Sequence, residues 1–109
     1  MIYINIKKKG KYIQTIEAVG HSGYAESGKD IVCSAVSTLM QSLILGLEKV
    51  LKIQPSVEMD ENVPIIKVET NLDIDEDTQS HVQVLMKTTR LGLKDIADSY
   101  PKFIKIKEM

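Results

Sequence analysis

Cys33 is the only cysteine in the chain and His21 is one of two histidines. The stretch that holds them, Gly20 to Ser37, also carries three of the six glycines, Gly20, Gly23 and Gly28. A thiol and an imidazole suffice for nucleophilic catalysis near neutral pH: the thiolate attacks, while the ring takes the thiol proton and later returns it to a leaving amine. Past Gly28 the composition turns apolar with helical spacing. The stretch therefore reads as strand, glycine-rich loop, helix. Asp30 is expected as N-cap, with Ile31, Val32 and Cys33 as the first helical residues. Unpaired first-turn N–H groups and the helix dipole favour a thiolate there, and the N–H groups of Cys33 and Ser34 could receive a developing oxyanion. Asp30, an anion beside the thiol, opposes this unless it is engaged elsewhere, and orienting His21 is one such engagement. The plainer alternative is a small buried hydrophobe and a surface histidine. Spacing alone favours that alternative. The glycines and the helix-start position count against it.

The string G-H-S…G-K-D-I-V-C-S-A-V-S over residues 20–37 closely resembles the signature of the Prp family of ribosomal-processing cysteine proteases. Ser22 and Ser34 stand where that family commonly has alanine, small-for-small changes. The resemblance implies an endopeptidase that removes the N-terminal extension of a large-subunit ribosomal protein. It makes His21 and Cys33 the catalytic pair and Asp30 and Ser37 supporting residues, and it implies a homodimer. Gly20, Gly23, Tyr24 and Gly28 would form a loop that meets substrate. Residues 22–29 are expected to act as a lid, with Tyr24 packing either on the peptide or on the body of the domain. Ser37 lies four residues after Cys33, hence on the same helix face.

Those residues need a scaffold. A chain of 109 residues, 43% hydrophobic and 27% charged, has the composition of one globular domain, 1–109, able to bury roughly two thirds of its unfolded surface. Residues 2–7 alternate as a strand, Lys8–Lys11 form a turn, and Tyr12–Val19 form a second strand whose alternation is poor. The lysine-rich turn reads as a solvated hairpin tip. A helix is expected from Ile31 to about Ile53, with Val32, Val36, Leu39, Met40, Leu43, Leu47 and Val50 facing the core. A second stripe of Ala35, Thr38, Ser42 and Gly46 is small enough to admit another helix, from this chain or from a partner. Val57–Met59 and Ile65–Glu69 read as strands. Asp73, Asp75, Glu76 and Asp77 precede a helix running to about Tyr100, and they suit its N-terminus without any metal. Pro101 ends that helix, and Phe103–Lys107 is the last strand. The resulting class is α/β of the α+β type: order ββαββαβ, two helices on a mainly antiparallel five-stranded sheet.

One cysteine forms no internal disulfide, and neither a secretory leader nor an 18-residue apolar run is read. The expected location is therefore cytoplasmic, with no membrane partner. A formal charge of −1 argues against nucleic acid as a partner. One cysteine and two histidines in separate elements make no structural zinc set, so neither metal nor other cofactor is expected. Eight of the 15 acids fall between Glu58 and Asp77, which would suit a basic peptide if that zone lay near the site. The competing reading is a non-catalytic ribosome-assembly or peptide-binding adaptor with Cys33 buried. Acyl or thiol transfer would share the Cys–His chemistry and differ in the acceptor.

Overall fold

The computed structural model describes residues 1–20, 27–60, 62 and 64–109, with 27–30 described by backbone alone. Five strands and two long helices succeed one another in the expected order: β1 (Ile2–Lys9), β2 (Tyr12–Val19), α1 (Ser27–Leu45), β3 (Ser56–Asp60), β4 (Ile65–Glu69), α2 (Glu76–Ser99) and β5 (Ile104–Glu108). The sheet order is β3-β4-β2-β1-β5, and every pairing is antiparallel except that of β1 with β5. Both helices pack on one face. Inward-facing isoleucines from β1 and β2 meet Val32, Val36 and Met40 of α1 and Val82, Met86 and Leu93 of α2, all buried.

The poor alternation of β2 has a local cause. The pairing shifts between Lys7 and Lys8: Lys7 lies opposite Thr15 and Lys8 opposite Ile13, so Gln14 is the extra residue of a β-bulge. That slip returns Ile13 to the helix-facing side. β4 ends opposite Thr15, so it offers Ile13 no ladder partner. A side chain takes that place. Gln83 accepts from the Ile13 N–H (2.8 Å) and donates to the Ile13 carbonyl (3.0 Å), and it also donates to Gln79 Oε1 at 2.9 Å.

Two expectations about the first helix are corrected. It starts at Ser27, so Asp30 lies inside it instead of capping it, and Gly28 is helical, not part of a loop. At its other end, Gly46–Val50 is a π-helical turn, closed by Leu51 N–H to the Gly46 carbonyl at 3.0 Å. The wider turn rotates the residues at its end. Val50, expected in the core, is 74% exposed, while Leu51 is half-buried against the core. Lys52 then adopts a left-handed φ of 57°, and Ile53 N–H bonds back to the Leu47 carbonyl, which ends the helix.

The apolar-run expectation is also corrected. Ile31–Val50 spans 20 residues at mean hydropathy 1.6, long and apolar enough by composition to cross a membrane. In this fold its buried face is the centre of the domain core. The small-residue stripe finds its partner within the chain at Gly46. A Cβ on Gly46 would sit 3.0 Å from Leu85 of α2, and one on Gly92 of α2 would sit 3.0 Å from Leu39 of α1. Each helix thus seats a leucine of the other over a glycine.

Candidate active site

Strand direction sorts the chain's features between the two ends of the sheet. Val19 and Ile65 meet at one end, where β2 finishes and β4 begins. At the other end lies the β1–β2 turn, where Thr70 N–H bonds to the Gln14 carbonyl. The acidic start of α2 lies at that second end too, and Lys11, Tyr12, Glu76 and Lys87 border one shallow groove there. Glu69 and the acids at the start of α2 therefore lie at the hairpin-tip end of the sheet, and Asp75 caps the helix. Asp75 accepts from Thr78 N–H at 2.9 Å and from its hydroxyl at 3.0 Å, and these hydrogen bonds hold its carboxyl below the ordinary value.

Cys33 belongs to the first end. Among the described residues, a cleft of about 430 Å³ lies there between α1 and the inner face of β2, β4 and β3. Its wall is one face of α1: Cys33, Val36 and Ser37. Cys33 and Ser37 are half-buried, one helical turn apart, so the expectation that they share a face holds. The neighbouring Thr38 makes a back-bond to the helix: its hydroxyl donates to the Ser34 carbonyl at 2.8 Å. The floor is apolar, formed by Ile2, Ala18, Ile66 and Met59. Gly20, Asp60, Pro64 and Ile65 close the end. Asp60 is the one charged residue of the cleft among those described. Its carboxylate accepts from Asn62 N–H at 2.8 Å within the β3–β4 connection.

Gly20 is required by its surroundings. Its φ is +113°, a region that side chains disfavour, and a Cβ would overlap the carbonyl oxygen of Met1. Its N–H bonds to the Pro64 carbonyl at 3.0 Å, tying the end of β2 to the start of β4 at the cleft.

Of the other expected site residues, His21, Ser22, Gly23 and Tyr24 lie outside the described residues, as does most of the expected lid. Asp30 and Gly28 are helical in backbone, and their side-chain positions are not described. The helix start at Ser27 makes Cys33 its seventh residue, in the second turn. Unpaired amides and the dipole's pull belong to the first turn, so neither supplies Cys33 and Ser34 with free oxyanion donors. The cleft floor is a feature that sequence patterns did not reveal. Its signal was weak: Ala18 is the one small residue among the inward positions of β1 and β2, and that alternation is hidden by the bulge.

A half-buried thiol on a helix wall beside an apolar cleft is an arrangement that a cysteine-dependent enzyme can use. The comparisons agree. The family model described as cysteine protease Prp matches residues 1–105. A Mycoplasma genitalium protein named ribosomal processing cysteine protease Prp is 33% identical over 108 residues, covering 99% of this chain and 96% of that one. A Streptococcus mutans crystal structure superposes with TM-score 0.88 at 32% identity, covering 100% of this chain and 94% of that one. The fold is also that of a Staphylococcus aureus ribosomal processing protease Prp solved with a substrate peptide, at TM-score 0.86, 17% identity and full coverage of both chains. This chain belongs to the Prp family of cysteine proteases.

Proposed function

We propose that this enzyme removes the N-terminal extension of a large-subunit ribosomal protein, with Cys33 as nucleophile and His21 as general base and then acid. The observation that carries the reading is the thiol of Cys33 on the wall of a cleft that also includes Gly20, the residue one peptide bond before His21. The name of the Mycoplasma genitalium relative supports the ribosomal substrate. Sγ attacks the scissile carbonyl carbon while its proton passes to His21. The tetrahedral intermediate collapses, the C–N bond breaks, and the new amine leaves with that proton. Water, deprotonated by His21, then hydrolyses the thioester and restores the thiol. Asp30 and Ser37 support the pair, and Gly23, Tyr24 and Gly28 contribute to the substrate-facing segment. The chemistry needs no cofactor. The setting for such a substrate is the cytoplasm.

Incubation with ribosomal-protein precursors, with intact-mass measurement of the products, tests this directly. Cys33→Ala abolishes cleavage, and His21→Ala lowers the rate by about 10²–10⁴-fold. The double variant loses little more than either single one, because a nucleophile and its base act as a unit. Additive losses would refute the pairing. A non-catalytic adaptor would show no Cys33-dependent product at all.

The active species is a homodimer. With Gly46 occupied by Leu85, the remaining candidates among the described residues are the outer strands β3 and β5 and the exposed apolar side chains beside that contact: Leu45 and Val84, 55% and 62% exposed. Light scattering at micromolar concentration is expected to give twice the 12.2 kDa chain mass, and a species of 12.2 kDa throughout would exclude the dimer.

A further inference from the structure

Three residues of the cleft floor, Ala18, Ile66 and Met59, belong to one row of side chains that runs across the sheet and continues to the buried Ile4. Ile4 of β1 lies opposite Ala18 of β2, Ala18 opposite Ile66 of β4, and Ile66 opposite Met59 of β3. Exposure rises along the row, from 0% at Ile4 through 7% at Ala18 to 56% at Met59. The row thus passes from the core into the cleft at Ala18. Every other buried inward position on β1 and β2 is isoleucine: Ile2, Ile4, Ile6, Ile13 and Ile16. Ala18 alone is small, and it lines the cleft that holds Cys33.

A small residue on an inner sheet face commonly lets a helix come close. Here Ala18, 7% exposed, lines the cleft together with Cys33, Val36 and Met59, at the boundary between core and cleft. An isoleucine at this position would extend the apolar floor into the cleft.

We infer that Ala18 is a specificity-determining residue: its missing side-chain volume sets how large an apolar residue flanking the scissile bond the cleft admits beside Cys33. The inference rests on the reading of Cys33 as the nucleophile and deepens it. The lining dictates the occupant. The cleft's one charged residue among those described, Asp60, stands at its end, so the apolar floor itself selects by size and apolarity. Within an apolar pocket, one methylene changes selection by about 10–200-fold. The two methyl groups that Ala18→Val adds are therefore enough to read.

The test uses the full chain and peptides spanning a ribosomal-protein N-terminal extension, with each residue flanking the cut varied in turn among Phe, Leu, Val and Ala. The readout is kcat/KM for each peptide by mass spectrometry. For one flanking position, Ala18→Val lowers the Phe-to-Ala preference at least tenfold, and Ala18→Gly leaves it equal or raises it. Thermal melting and the rate of Cys33 alkylation by iodoacetamide report on fold and thiol access in each variant. An unchanged preference in folded Ala18→Val protein overturns the inference, and so does an equal loss on all peptides. Should the valine variant not fold, a fall in preference in Ala18→Gly overturns it, and a rise supports it. Wild-type protein that cleaves none of the peptides, while Cys33 still alkylates, overturns the underlying reading and the inference with it.

Discussion

On the proposed function, Cys33 and Gly20 would be indispensable in two different ways. As the proposed nucleophile, Cys33 would owe its role to what its sulfur can do on the cleft wall. Gly20 owes its role to what it lacks. Any side chain there meets the Met1 carbonyl and a backbone angle of +113°. Gly20→Ala is expected to lose about 1–3 kcal/mol to backbone strain alone, with the steric overlap added to it. The check is a denaturant melt of Gly20→Ala on the Cys33→Ala background, so that no proteolysis complicates the transition. A midpoint equal to that of the Gly20 parent would contradict the stated geometry. Because Gly20 precedes His21 directly, the same change should also impair cleavage in the active background.

Among the elements, β2 and α2 are joined by a device that replaces missing strand pairing. Gln83 serves both backbone groups of Ile13 where β4 has run out, and Gln79 holds Gln83 in turn. Both glutamines are buried. Gln83→Leu keeps the volume but orphans two buried backbone groups, each costing about 1–3 kcal/mol when unmet. It should lower stability by several kcal/mol in urea unfolding, and hydrogen exchange should speed up at Ile13 ahead of the rest of β2. Exchange at Ile13 unchanged from wild type would show that water replaces the amide without loss. The two helices join differently, through Leu85 over Gly46 and Leu39 over Gly92, reciprocal contacts that need close backbone approach.

Across the whole molecule, the last strand is secured by charge as well as by pairing. Glu108 of β5 accepts from Arg90 of α2 and lies 3.6 Å from Lys8 of β1, so one carboxylate links three elements. The Arg90 hydrogen bond, offset in part by desolvation, holds the Glu108 carboxyl below its ordinary 4.5. A folded-state value depressed below the unfolded one gives stability that is present above pH 4.5 and lost as pH falls through the folded value. Glu108→Gln should therefore be less stable than wild type at pH 7, by no more than about 1 kcal/mol for so exposed a cluster. The difference should close on acidification below pH 4.5. A gap that persists undiminished at pH 2.5 would mean that packing, not charge, anchors β5.

The order of strands and helices was legible in the chain because local rules write it. Alternation marks β1 and β4, 3.6-residue spacing marks the helices, and Pro101 and the acids before Glu76 punctuate α2. The residues of the cleft wall were legible for the same reason, since Cys33 and Ser37 share a face in any helix that holds both. What escaped the sequence depends on partners distant along the chain. Gln79 and Gln83 look like solvent residues until a bulge leaves Ile13 without a strand neighbour. Val50 fits the apolar stripe until a π-turn rotates it outward. The small stripe of α1 gained a partner at Gly46 only when Leu85 was seated there. The distribution of acids gave no hint that Glu69 and those at the start of α2 would lie at the end of the sheet away from Cys33, because strand direction, not composition, assigns each loop to an end. Ala18 became informative for a like reason: its smallness matters only where a cross-strand row passes from the core into the cleft, and register is a property of the folded sheet.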